Sequence, residues 1–135
     1  MKIKQITVSI AVGALALVAL ATPLSAAPLT DQNKQFLANY EKVHQALVAD
    51  DLATAKKAAA DLGAPGSDLA KSESLEQART AFEKLSGEAA KLAAGQSGYY
   101  VMHCPMKNKD WVQTSDKVAN PYGGKEMVSC GEVKK

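Results

Sequence analysis

The chain has 135 residues, with 16 Lys and Arg against 14 Asp and Glu, and only 5% aromatic residues. This length allows one domain, and the nearly balanced charge argues against nucleic acid or an anionic membrane surface as a partner. With few aromatic side chains, the core must be built largely from Leu, Val and Ala, which suits a small bundle of closely packed helices.

The N-terminus has the features of a secretory signal peptide. Lys2 and Lys4 precede an apolar run over 6–20, and small residues follow up to Ala26. The run is about 15 residues long, shorter than the ~20 that a membrane span needs. We therefore expect residues 1–26 to be cleaved and the exported domain to comprise residues 27–135, without a membrane anchor. Loss of Lys2 and Lys4 makes the basic residues equal in number to the 14 acidic ones.

Apolar residues at helical spacing predict about three helices within residues 30–95. The expected bounds are Thr30 or Asp31 to about Ala49, Leu52 to Leu62, and Ser72 or Ser74 to Gly95. Ser74 and Gln77 have the spacing of a capping box, and Gly63 is suited to end the second helix. These segments predict an all-α fold, an antiparallel helical bundle.

Two residues that resemble functional ones have simpler interpretations. His44 lies on or beside the apolar stripe of the first predicted helix, so we expect it to pack in the core rather than to bind a metal. Trp111 is the only tryptophan, and a lone tryptophan more often packs in a core than covers a bound cation. We expect both side chains to be structural.

Chemistry is concentrated in residues 99–131, which contain both cysteines and three of the four methionines. Cys104-Pro-Met106 stands at the head of this stretch, and Met127-Val-Ser-Cys130 stands near its tail. Thiolate and thioether sulfurs are soft donors that select Cu(I) and similar ions. The turn-forming Asn-Pro-Tyr-Gly-Gly sequence at 120–124 would fold the two pairs together. A four-sulfur site for Cu(I) or Ag(I) is therefore one interpretation, with His103 as a fifth candidate ligand.

A disulfide between Cys104 and Cys130 is the alternative. Two cysteines in an exported protein permit it, and closing a loop of about 27 residues would contribute roughly 3.5 kcal/mol in the chain-entropy model. Catalytic motifs are lacking: there is no C-x-x-C pair for thiol exchange, and His103 beside Cys104 is too little for a thiol hydrolase. We expect no enzyme activity.

The order of residues in this stretch resembles a bacterial domain family of unknown function. The matching elements are Tyr-Tyr-x-x-x-Cys104-Pro-Met106, then Trp111-x-Gln113, and then Asn-Pro-Tyr-Gly-Gly-Lys-Glu-Met127-x-x-Cys130-Gly at 120–131. The family occurs as small exported proteins and as domains appended to periplasmic adaptors of copper and silver efflux systems. The resemblance implies a periplasmic location, a role in heavy-metal resistance, and Cys104, Met106, Met127 and Cys130 as ligands, with His103 as an auxiliary one.

The sequence thus predicts an all-α bundle over 30–95 with a compact, irregular Cys- and Met-rich module over 99–131. Its expected function is to bind a soft metal ion, with copper as Cu(I) the leading candidate, as a periplasmic buffer, carrier or accessory to efflux. An efflux adaptor or a metal chaperone is the expected protein partner. The alternative is a helical protein-interaction module stapled by Cys104 and Cys130 and without metal.

Overall fold

The computed structural model describes residues 26–134. The predicted signal peptide, apart from Ala26, lies outside the described residues. Four helices are followed by three short strands: α1 (Asp31–Val48), α2 (Leu52–Ala60), α3 (Ser67–Ala70), α4 (Leu75–Ala93), β1 (Tyr100–Cys104), β2 (Lys109–Gln113) and β3 (Glu132–Val133). Short 3₁₀ turns occur at Ala64–Gly66 and Gly124–Glu126. No helix within 26–134 has the length and hydropathy needed to cross a bilayer.

The helices begin where side chains cap free backbone N–H groups. Thr30 accepts from Asn33 N–H at the start of α1, and Asp51 accepts from Thr54 N–H at the start of α2. Ser74 caps α4 by accepting from Gln77 N–H at 3.2 Å, as the capping-box spacing predicts. The three main predicted helices are therefore confirmed, with ends within a few residues of the predicted bounds.

The all-α prediction is wrong. β1, β2 and β3 form an antiparallel sheet in the order β2-β1-β3, so the fold is mixed α and β. A four-residue turn at 105–108 joins β1 to β2, and Asn108 takes φ +50°, a conformation that Asn tolerates better than most residues. The extended nature of residues 99–103 is visible in the sequence. The second strand is harder to recognise in the sequence, because it begins with Lys109 and Asp110 and charged residues are uncommon at the start of a buried strand.

A single core joins the helices to the sheet. Phe82 on α4 stacks on Tyr40 of α1, with ring centroids 5.0 Å apart, and also contacts Tyr122, at 5.8 Å. Tyr122 in turn meets the edge of Trp111 on β2, at 6.2 Å. The Trp111 side chain is fully buried, which confirms it as a packing residue. This aromatic chain fixes the sulfur-rich part of the molecule to the helices.

Polar side chains of the helices also hold the segment that precedes the second cysteine. His44 is buried, as expected, and its Nε2 lies 2.7 Å from the carbonyl of Ala119; because a carbonyl only accepts, Nε2 must carry the proton. Arg79 donates to the carbonyl of Pro121 at 2.7 Å and to the carboxylate of Asp50 at 2.6 Å. These contacts fix the path of the irregular chain between β2 and β3.

Candidate functional site

The two cysteines lie in contact at one corner of the sheet. Cys104 ends the central strand β1, and Cys130 lies two residues before β3, which pairs antiparallel with β1. Continuing that register places Gly131 opposite Cys104, so Cys130 arrives beside the Cys104 side chain. The two Sγ atoms are 2.7 Å apart and not covalently bonded. Cys104 is fully buried, whereas Cys130 is partly exposed.

Gly131 is required where the chain passes Trp111. Its φ is +153°, and a Cβ atom there would lie 2.7 Å from the Trp111 ring and 3.1 Å from Val118. Any larger residue would push the backbone away from the sheet. The close approach allowed by glycine brings the neighbouring Cys130 against Cys104.

The turn that follows Cys104 directs hydrogen-bond donors at its sulfur. Burial opposes ionisation of the Cys104 thiol, but hydrogen bonds from Cys130 and from the backbone N–H groups of Lys107 and Met106 outweigh it, so the pKa of Cys104 is lowered. The same contact with Cys104, together with burial, raises the pKa of Cys130. The shared contact thus favours ionisation of Cys104 over ionisation of Cys130.

The two candidate methionines occupy different environments. The Met106 side chain is 79% exposed at the tip of the β1–β2 turn, although its backbone N–H faces the two sulfurs. Met127 is partly buried, and it begins a turn closed by Cys130 N–H donating to the Met127 carbonyl at 2.9 Å. The thioether of Met106 is thus free to move toward the thiols, and that of Met127 starts one turn away from Cys130.

His103 is not brought together with the sulfurs. Neighbouring strand residues point to opposite faces, so the side chain of His103 leaves β1 on the face opposite to Cys104. Its Nδ1 lies 2.6 Å from the carboxylate of Asp110, which also pairs with Lys134. Burial opposes ionisation of Asp110, but the hydrogen bonds from Lys134 and His103 outweigh it and lower its pKa. His103 would have to break this hydrogen bond to reach the cysteines.

Two buried amides organise the site, and the sequence marks them only as members of the motif and the turn, without a role at the cysteines. Gln113 is 1% exposed, and Asn120 is completely buried. Gln113 accepts from Trp111 Nε1–H at 2.8 Å and from Ala119 N–H at 3.0 Å. Asn120 stands in the turn sequence at 120–124, which signals a change of chain direction but not a contact with cysteine. A buried polar residue beside a reactive one can be seen only once the chain path is known.

The donor set limits the chemistry that is available. Among residues 26–134, no three or more His, Cys, Asp and Glu side chains are grouped so as to hold a metal ion. The site offers two sulfurs in contact, one of them with a lowered pKa, and a methionine on each of the two turns that carry them. That set fits a soft monovalent ion, which needs few ligands, and it equally permits a disulfide.

No protein-family model matches this chain, and no curated protein or solved structure shows significant similarity to it.

Proposed function

We propose that the exported protein binds Cu(I), or the similar ion Ag(I), through Cys104 and Cys130 and serves in the periplasm as a buffer, carrier or accessory to efflux. The observation that carries the proposal is the contact of the two thiols beneath backbone donors aimed at the Cys104 sulfur. The resemblance of residues 99–131 to domains of copper and silver efflux adaptors also supports it, and such an adaptor or a metal chaperone is the proposed partner.

The chemistry follows from the state of the two sulfurs. A metal binds thiolate and displaces the thiol proton into solvent, so a thiol whose pKa is lowered binds the metal at less cost. A bound ion would lie between the two sulfurs at metal–sulfur distances of about 2.3 Å, so we propose that the pair opens when it binds an ion. We assign the movement to Cys130, because it lies on a partly exposed turn, whereas the Cys104 side chain is fully buried at the end of β1.

The thioethers would complete the coordination of the ion. Met106 is exposed and unconfined, and Met127 lies on the turn that leads to Cys130. Neutral thioether ligands add affinity for Cu(I) and Ag(I) while contributing little toward Zn(II), which favours thiolate, imidazole and carboxylate. We therefore propose selectivity for soft monovalent ions and no catalytic role.

A disulfide staple between Cys104 and Cys130 is the second candidate. The contact of the sulfurs favours it as well, because few other arrangements place two cysteines within bonding reach. In that case the disulfide would stabilise the attachment of the C-terminal segment to the sheet, and the protein would function as a protein-interaction module without metal.

Native mass spectrometry distinguishes the two functions. The mature protein is measured as isolated from the periplasm, and again after reduction and addition of one equivalent of Cu(I) in the presence of a competing chelator. We expect the reduced protein to retain one copper ion, Cys104→Ser and Cys130→Ser to lose it, and Ser129→Ala, next to Cys130 and exposed, to keep it. An isolated protein two protons lighter than the dithiol, with no copper retained after reduction, would overturn the proposal and leave the staple.

A further inference from the structure

The Asn120 side chain links the segments that carry the two cysteines. It is completely buried, and its Nδ2 donates to the carbonyl of Cys130 at 2.8 Å. The same side chain also helps to lower the pKa of the Cys104 thiol. Asn120 therefore bonds the backbone of Cys130 directly and influences the thiol of Cys104.

The other atoms of Asn120 are also occupied. Its Oδ1 accepts from Tyr122 N–H at 2.8 Å and from Gly123 N–H at 3.1 Å, and its own N–H donates to the carbonyl of Val128 at 2.8 Å. The acceptor side of the amide thus holds the turn at 120–123, and the donor side holds the last residues before β3. The two sides have separable roles, and only the donor side reaches the cysteines.

We propose that Asn120 is a positioning residue whose buried amide sets the Cys130 sulfur against Cys104. The close approach of Gly131 to Trp111 and the bond from Asn120 N–H to Val128 place the chain near Cys104, and the amide bond to the Cys130 carbonyl holds the cysteine residue itself. The inference rests on the proposed function only in taking the thiol pair as the site. It concerns the geometry of the pair, which can be measured without metal.

The test measures the effective concentration of one thiol at the other. The reduced protein is equilibrated with buffers of reduced and oxidised glutathione at about pH 6, and the ratio of dithiol to disulfide is measured. Ordinary thiols are protonated at this pH, so the ratio depends more on the distance between the two sulfurs than on their charge. Asn120→Ser keeps a hydroxyl oxygen to accept from the turn but is too short to reach the Cys130 carbonyl. We expect its effective concentration to fall by about tenfold or more, the size expected from one lost hydrogen bond.

A matched control removes the same kind of bond elsewhere. Asn39 on α1 is also buried, and its Nδ2 donates to the carbonyl of Asp61 at 3.3 Å. Asn39→Ser should lower stability in urea but leave the thiol equilibrium within about twofold of wild type, since it touches neither cysteine. The inference would be overturned if the effective concentration fell no further in folded Asn120→Ser than in Asn39→Ser.

A second variant covers the possibility that the cavity left by serine prevents folding. Asn120→Asp keeps the side-chain volume and the acceptor oxygen but replaces the amide NH₂ donor with an oxygen. We therefore expect the same fall in effective concentration. If neither variant folds, Asn120 determines the fold rather than the thiol geometry, and the inference is overturned. Titration of the reduced wild-type protein with Cu(I) is independent: loss of copper binding there defeats the proposed function, while the glutathione result decides the role of Asn120.

Discussion

The helical part and the sulfur-rich part of this chain are stabilised by different means. Residues 31–93 bury an apolar face built from Leu, Val, Ala and Phe82, and their backbone groups pair within the helices themselves. Residues 114–131 contain no strand and only one 3₁₀ turn, so many of their backbone groups depend on buried side chains, chiefly Gln113 just before the segment and Asn120 within it. Where a segment lacks regular structure, a few buried amide side chains supply the hydrogen bonds that a helix or sheet would make through its own backbone.

This difference bears on how each part responds to substitution. A helix face spreads its stabilisation over many residues, so most single changes remove a fraction of it. The path of residues 114–131 rests on a handful of polar contacts, and loss of one frees several backbone groups together. Of the two cysteines, Cys130 lies in the second kind of structure, whereas Cys104 ends a strand.

Phe82→Ala is expected to have the largest effect, because Phe82 belongs to both parts. The side chain is fully buried between Tyr40 and Tyr122, and its truncation should cost about 3–5 kcal/mol of unfolding free energy. If the two parts form one cooperative unit, helix content and tryptophan fluorescence will be lost in a single urea transition. Two separate transitions would show that the sulfur-rich part folds independently. Phe36→Ala, at a partly buried neighbour of Tyr40, should cost clearly less.

Gln113→Leu is expected to have a smaller and more local effect. The side chain donates to the carbonyls of Ser115 and Lys117, both at 2.6 Å, and accepts from Trp111 and Ala119. Leucine keeps the bulk but leaves these four groups without partners, at a cost of about 2–3 kcal/mol after some are exposed to water.

Hydrogen exchange measured by mass spectrometry locates the effect of Gln113→Leu. We expect faster exchange in residues 114–131 and little change in α1 and α4. The control is Gln96→Leu, which removes a single hydrogen bond, to the carbonyl of Ala27. Uniformly faster exchange throughout the described part would contradict the local role of Gln113.

The helices could be predicted from the sequence because their signals are local. The Ser74 cap and the apolar spacing from Leu75 to Leu92 lie within the helix that they specify. The sheet was missed because β2 and β3 acquire their identity from pairing with β1, and β3 is only two residues long. The contact of Cys104 with Cys130 follows the expected pairing of the two sulfur motifs. The roles of Gln113 and Asn120 depend on carbonyls brought near by the tertiary path, which no local pattern encodes.

Met106→Leu should have the smallest effect on stability and the most selective effect on function. Because the Met106 side chain is 79% exposed, leucine in its place should change the unfolding free energy by no more than about 0.5 kcal/mol. If its thioether joins the thiols around Cu(I), the affinity of the reduced protein for Cu(I) will fall by about tenfold in chelator competition, with the one-ion stoichiometry retained through Cys104 and Cys130.

The matched control for Met106→Leu is Met102→Leu, which alters a fully buried methionine on the same strand as Cys104. It should change stability, by less than about 1.5 kcal/mol because the volumes are similar, and leave the Cu(I) affinity unchanged. Equal Cu(I) affinity in wild type and Met106→Leu would mean that the exposed methionine takes no part in coordination. The ion would then be held by Cys104 and Cys130 with Met127 as the one remaining thioether, so the flexible part of the site would lie entirely on the Cys130 turn.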